Sequence, residues 1–228
     1  MKQIDVKQKV LNRHEDIAQR LRRSFDQANI LAVNIMGSPG CGKTALLEAT
    51  ASKLARNHRT VVLEGDLQTD NDARRVQAAG LTAYQINTDQ ACHLDALMIE
   101  RSLRDNKINL HDFDLLVIEN VGNLVCPAGF PLGEHCRVVV SSIPEGFDKP
   151  AKYPRMFYKA DCVVLNKIDL LDVLDFDKDA FWQFVQQIAP RAARFEISCK
   201  TGSGTDPWLD WLNQQRQNPS EARDCKSG

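Results

Sequence analysis

A three-layer α/β fold, with a mostly parallel sheet of about seven strands flanked by helices, is what this 228-residue sequence predicts. Three observations predict it. Short apolar, partly β-branched runs alternate with longer stretches of helical spacing, as in strands joined by crossover helices. One strand-to-helix junction carries Gly37-Ser38-Pro39-Gly40-Cys41-Gly42-Lys43-Thr44, which meets every fixed position of the phosphate-loop pattern G-x-x-x-x-G-K-S/T. Several strands end in acidic or amide residues, at the edge where open α/β sheets bind ligands.

Length and composition set the outer bounds. The chain suits one large domain over residues 1–228, and 43% hydrophobic residues are enough for a full core. A net charge of −1 supplies no basic field for nucleic acid. No apolar run approaches the roughly 20 residues of a membrane span. The start, Met1-Lys2-Gln3-Ile4-Asp5, has no apolar signal core, so a cytoplasmic protein is expected. The seven cysteines are scattered, odd in number and without a C-x-x-C pair, which argues against a disulfide framework or a self-contained zinc knuckle.

Taken in order, residues 1–29 read as an amphipathic helix packed on the domain. Its apolar positions are Val6, Val10, Leu11, Ile17, Leu21 and Phe25, and Arg20, Arg22 and Arg23 fall on a solvated face. Ile30 to Met36 is a buried strand, and Ala45 to Leu54 has helical spacing. Between them the glycines let the backbone wrap an anion, with N–H groups and the helix dipole directed at phosphate. Lys43 is placed to reach the β and γ phosphates, and the Thr44 hydroxyl to ligate magnesium.

Thr60 to Asp66 is the second strand, and Asp66 at its end is a candidate to orient the attacking water or contact magnesium. Asp70 and Asp72, in the polar stretch that follows, read equally as caps or as functional groups. Leu81 to Ile86 is a short strand, and Asn87-Thr88-Asp89 can start a helix with Cys92 and His93 near its first turn. Phe113 to Ile118 is a strand closed by Glu119, an acid placed like a Walker B residue and suited to magnesium. After it, Gly122 can bring a backbone N–H to the γ-phosphate, so that this loop senses its presence.

Cys136 to Ser142 and Asp161 to Leu165 are the next strands. The second runs into Asn166-Lys167-Ile168-Asp169, the N-K-x-D pattern. The Asp169 carboxylate can accept paired hydrogen bonds from the guanine ring N–H and exocyclic amine, which adenine cannot supply. Asn166 stiffens the loop, and the Lys167 stem covers the base. The strand Arg194 to Ile197 leads to Ser198-Cys199-Lys200, a loop suited to the other edge of guanine. Asp206 to Arg216 is a last amphipathic helix, and 217–228 reads as a frayed polar tail.

These motifs, with Glu64-Gly65-Asp66, Cys92-His93-Leu94-Asp95 and Glu119-Asn120-Val121-Gly122-Asn123-Leu124-Val125-Cys126-Pro127 in the same order, resemble the HypB family over about residues 10–213. The resemblance implies a cytoplasmic P-loop GTPase that turns GTP over slowly to GDP and assists nickel insertion into [NiFe]-hydrogenase. It also implies magnesium with GTP, a nickel or zinc ion at Cys92, His93 and Cys126, and a homodimer dependent on nucleotide and metal. Other maturation proteins and the hydrogenase large subunit are the partners it implies. The chain departs from the family in two places. Residues 1–29 hold no cysteine and only His14, so the nickel-storage role of Cys-rich or His-rich members is not carried over. Cys41 stands where Ser is usual, and a thiol there is expected only to line the phosphate loop. The readings kept beside this one are a urease-type chaperone, an adenine-specific P-loop enzyme, and a metal-binding protein that uses nucleotide only for assembly.

Overall fold

The protein is described by a computed structural model covering residues 2–66, 71–88 and 91–217, with the side chains of residues 2–13 left aside. Among these residues the strands are β1 (Leu31–Gly37), β2 (Thr60–Asp66), β3 (Thr82–Asn87), β4 (Leu115–Glu119), β5 (Cys136–Ser142), β6 (Cys162–Asn166) and β7 (Ala193–Ile197). The helices are α1 (Lys2–Gln27), α2 (Lys43–Asn57), α3 (Asn71–Ala78), α4 (Ala96–Asp105), the short α5 (Lys149–Lys152) and α6 (Pro154–Phe157), α7 (Lys178–Ile188) and α8 (Thr205–Gln217). The side chains at the expected positions 6, 10 and 11 of the first helix, together with Asp70, Asp89 and the tail beyond 217, fall outside what is described.

The seven strands form one sheet in the order β3-β2-β4-β1-β5-β6-β7, and every pairing is parallel. The expected "mostly parallel" sheet is thus wholly parallel. Parallel strands buried on both faces need helices on both sides, and the core divides accordingly. Leu31, Val33 and Ile35 of β1 face Leu46, Leu47, Leu54 of α2 and Trp208, Leu209, Leu212 of α8. Ala32 faces the other way, into a cluster of Phe25 and Leu21 from α1 with Ile99 and Leu103 from α4. Met36, Val139 and Leu165 pack against Phe157 and Phe181.

Of the three arginines expected on a solvated face, Arg23 is exposed as expected, while Arg20 and Arg22 also make contacts across to the domain. Arg22 Nη1 donates to the Glu134 carbonyl at 2.8 Å, and Arg20 pairs with Glu100 at 3.2 Å. The neighbouring His135 ring, 1% exposed, accepts from Ala32 N at its Nδ1 and meets Asp26 with its Nε2. A neutral imidazole with its proton on Nε2 satisfies both bonds. The helix is therefore locked to the start of β5.

The stretch before α4 differs from expectation. Thr88 closes a turn onto Ala91 at 2.9 Å, and α4 begins only at Ala96, where the Asp95 carboxylate accepts from Met98 N at 2.8 Å. Asp95 is the stronger cap because its side chain reaches the free N–H of the first turn. Cys92 and His93 consequently lie in a turn ahead of the helix, so the roughly 100° divergence of adjacent helical residues does not separate them.

Candidate functional site

Because all strands are parallel, β1, β2, β4 and β6 deliver their final residues to one edge, and the motif residues meet there. Gly42 precedes α2 with φ 99°, a left-handed conformation that glycine adopts freely. A Cβ there would collide with the Asn166 amide, so the phosphate loop and the N-K-x-D loop touch directly. Asn166 joins three segments. Its Nδ2 donates to the Cys41 carbonyl at 3.0 Å, while its Oδ1 accepts from Lys167 N at 2.7 Å and Cys199 N at 3.3 Å. Lys167 itself has φ 61°, and its ammonium donates to the Gly40 carbonyl at 2.7 Å. The long lysine stem thus spans from the base loop to the phosphate loop, the position from which it can lie along a base.

Asp169 accepts a 2.6 Å hydrogen bond from the Ser198 hydroxyl, which orients the carboxylate. Ser198 is buried, Cys199 is half-buried and Lys200 is exposed. Within the phosphate loop, Lys43 is 7% exposed and its Nζ lies 3.5 Å from the Ser38 carbonyl. Ser38 Oγ donates to Glu145, whose other oxygen accepts from Ser142 Oγ at 2.8 Å. Burial pushes the Cys41 thiol up to about 12, with Lys43 opposing. A thiol held neutral and 0% exposed is inert lining.

The acids cluster beside Thr44. Its hydroxyl donates to Glu119 Oε1 at 2.8 Å. Asp66, half-buried, holds the neighbouring β2 end, and its carbonyl accepts from Thr88 N at 3.2 Å. The acid that sequence reasoning left out of the site is Glu64. It is 2% exposed, stands in register with Glu119 across β2 and β4, and lies two residues from Asp66 on the same strand face. That spacing of two was the available signal. Burial, then the Glu119 carboxyl beside it, push Glu64 up to about 10. Glu119 also rises, through burial, with Lys43 opposing. Glu119 Oε2 and Glu64 Oε1 are buried and meet no donor of the protein when both groups are ionised. A shared proton or a cation satisfies them, and Thr44 with Glu119 is an all-oxygen donor set that suits magnesium.

Cys92, His93 and Cys126 gather on the loops beyond this cluster. Their ligand atoms lie within 4.8 Å of one another. The two Sγ atoms are 2.7 Å apart, and Cys92 Sγ is 3.7 Å from His93 Nδ1. All are accessible enough to exchange a ligand, being half-buried. Burial lowers the His93 pKa, which favours the neutral, ligating imidazole. The hydrogen bond shared with Cys92 raises that of Cys126. Helix α4, near whose first turn Cys92 and His93 were expected, is capped by Asp95 and begins beyond both residues. Phe130, not foreseen, stacks on His93 at 3.8 Å between ring centroids and 24° between planes.

Two asparagines hold these loops. Asn120 Oδ1 accepts from Leu94 N at 3.1 Å and Val121 N at 3.0 Å, and Asn123 Oδ1 from Val125 N at 2.7 Å and Cys126 N at 3.2 Å. Gly122 sits flush on the phosphate loop, where a Cβ would fall 2.9 Å from Pro39 N and Cα.

The chain is similar to known proteins in sequence and in fold. The CobW/HypB/UreG nucleotide-binding domain model matches residues 31–196. The hydrogenase maturation factor HypB of Escherichia coli K12 is 45% identical over 213 residues, covering 93% of this chain and 73% of that protein. HypB of Azotobacter chroococcum is 43% identical over 220 residues, covering 96% and 72%. The crystal structure of HypB from Helicobacter pylori in complex with nickel superposes with a TM-score of 0.84 at 37% identity, covering 90% of this chain and 96% of that one. HypB from Archaeoglobus fulgidus gives 0.83 at 38% identity, covering 90% and 99%.

Proposed function

The chain belongs to the HypB branch of the CobW/HypB/UreG family of P-loop GTPases, and from that premise we propose that it hydrolyses GTP as a switch in delivering nickel to [NiFe]-hydrogenase. The observation that carries the reading is the meeting of two sites at one sheet edge. A phosphate loop and a guanine-type loop are tied by Asn166, and a Cys92–His93–Cys126 cluster takes Cys126 from the loop packed against Pro39.

In this reading the backbone N–H groups of residues 37–44 and the Lys43 ammonium hold the β and γ phosphates of GTP and oppose charge developing on them. Asp66 orients the attacking water or contacts magnesium, and the products are GDP and phosphate. Magnesium, when bound at Thr44 and Glu119 near Asp66, supplies charge neutralisation at the phosphates. Asp169 reads guanine, while Asn166, Lys167 and the Ser198–Lys200 loop shape the base pocket. Gly122 contacts the γ-phosphate, so the loop from Glu119 to Cys126 adopts different positions with GTP and GDP.

Nickel is the cargo. Thiolate and imidazole ligands suit nickel and zinc alike, so zinc binding at the same residues belongs to the proposal. Three ligands per chain leave a four-coordinate site short, and a two-fold homodimer supplies the rest. We place the protein in the cytoplasm with slow turnover, acting with other maturation proteins on the hydrogenase large subunit. No helix among the described residues is long and apolar enough to cross a membrane.

Two measurements test the reading. GTP should outcompete ATP, and nickel affinity should differ among nucleotide-free, GDP-bound and GTP-analogue-bound protein. Equal binding of ATP, or nickel affinity indifferent to nucleotide, would overturn it.

A further inference from the structure

The segment from Asn120 to Asn123 touches both sites at both of its ends. On the phosphate side, Asn120 N donates to the Ile35 carbonyl at 2.9 Å and Asn123 N to the Gly37 carbonyl at 3.0 Å. Gly37 and Asn123 form an isolated antiparallel bridge, and Gly122 between them rests on Pro39. The main chain of this segment is therefore stapled to the strand and loop that receive phosphate.

The side chains face the other way in function. The Asn120 carboxamide, 1% exposed, holds the Leu94 N–H, one residue beyond His93, and is itself braced by Asn34 on β1 at 3.3 Å. The Asn123 carboxamide holds the Val125 and Cys126 N–H groups. Each half of the cysteine–histidine cluster thus hangs from one amide side chain, and both amides belong to a backbone hydrogen-bonded to Ile35 and Gly37 and packed on Pro39.

We propose that Asn123, with Asn120 as the second arm, is a positioning residue that transmits displacement of the phosphate loop to the metal-binding cysteines. The idea rests on the functional reading above and specifies its coupling element. Asn123 holds no phosphate or metal by its side chain. It fixes where the Cys126 thiol stands relative to Gly37. A short rigid path of this kind couples two ligands with a free energy expressed equally at either site.

The test reads Cys126 directly and without metal, so its failure is separable from failure of the nickel assignment. Alkylation of Cys126 by iodoacetamide is followed by peptide mass spectrometry in chelator-treated, full-length protein, with no nucleotide, with GDP and with a non-hydrolysable GTP analogue. Wild type should show a nucleotide-dependent change of about fivefold or more in rate, the lower range of allosteric coupling. Asn123→Ala should retain GTP affinity within about twofold while losing most of that change. Asn123→Asp, which keeps the Oδ1 acceptor, should restore it. The idea falls if the alanine variant binds GTP normally and Cys126 still responds as in wild type. It falls equally if wild-type Cys126 is indifferent to bound nucleotide, or if the aspartate variant binds GTP and loses the response. Failure of the wild type to bind GTP would overturn the underlying reading as well.

Discussion

Glu64 and Glu119 are register partners on β2 and β4, each almost wholly buried, so two carboxyl groups share one interior position within reach of the Lys43 charge. Two buried like charges side by side are costly, and one proton between them removes most of that cost. The folded protein then holds a proton that an unfolded glutamate, near 4.5, releases well below the folded value of about 10. Stability from the protonated pair is present in full below the unfolded value and falls as pH rises toward about 10. The limiting slope is about 1.4 kcal/mol per pH unit for one proton. Measured without nucleotide or divalent cation, the melting temperature should decline between about pH 6 and about pH 9. Glu64→Gln should flatten that decline, since an amide needs no proton to be neutral. Parallel curves for the two proteins would exclude Glu64 as the source.

Guanine selectivity rests on a carboxylate already aimed by Ser198. Wild type should prefer GTP to ATP by at least about tenfold, which is about 1.4 kcal/mol. Asp169→Asn should relax the preference and can improve xanthine nucleotide binding, because the amide offers a donor where guanine presents donors. Competition titrations with the three nucleotides decide. Retained guanine preference in the variant would place recognition elsewhere.

Lys43 and Asp66 should fail in different ways. Lys43→Ala removes the cation on the phosphates and should abolish hydrolysis. Asp66→Ala should lower turnover strongly with a smaller loss of GTP affinity, since its assigned contact is water or metal and not nucleotide. Single-turnover hydrolysis beside equilibrium binding separates the two, and undiminished turnover in the Asp66 variant would remove that residue from the mechanism.

Gly122→Ala tests the packing of the sensing loop on the phosphate loop. The added Cβ meets Pro39 backbone atoms that cannot swing away as a side chain would. Overpacking of this kind costs about 1–3 kcal/mol, and the displaced loop should weaken GTP more than GDP. Thermal melting with both nucleotide titrations checks it. Unchanged values in all three would show that the loop yields without cost.

What the chain disclosed in advance follows from how far apart the cooperating residues lie. Gly37 to Thr44 and Asn166 to Asp169 are contiguous, and each needs one fixed order of residues, so both were legible. Strand runs such as Thr60 to Asp66 and Cys136 to Ser142 were legible because burial on both faces leaves a short apolar core to each, Val61 to Leu63 and Val138 to Val140. Glu64 was not, because its significance comes from register with β4, more than fifty positions later. Asn120 and Asn123 read as loop residues until their amides were seen holding Leu94 and Cys126. The start of α4 was misplaced because Asn87-Thr88-Asp89 and Asp95 are both acceptable caps locally. Asp95 is the cap of the helix observed, its carboxylate accepting from Met98 N.

The metal cluster carries the last prediction. Cys92, His93 and Cys126 come from two loops, ahead of α4 and after β4, and converge there. Three ligands cannot close a tetrahedral site, and a two-fold axis beside Cys126 would pair the clusters of two chains. Saturating nickel or zinc should therefore bind at one ion per two chains and promote dimerisation, more so with GTP analogue than with GDP. Loss of a direct ligand in Cys92→Ala, His93→Ala or Cys126→Ala should weaken metal by more than the about 10- to 100-fold that losing an outer partner costs. GTP binding to the monomer should be unaffected. Removing metal with a chelator should return the wild type toward monomer. Metal titration and sedimentation on the same samples give both readouts. Wild-type nickel affinity in a Cys92→Ala, Cys126→Ala double variant would sink the assignment, and one tightly bound ion per monomer would sink the shared site.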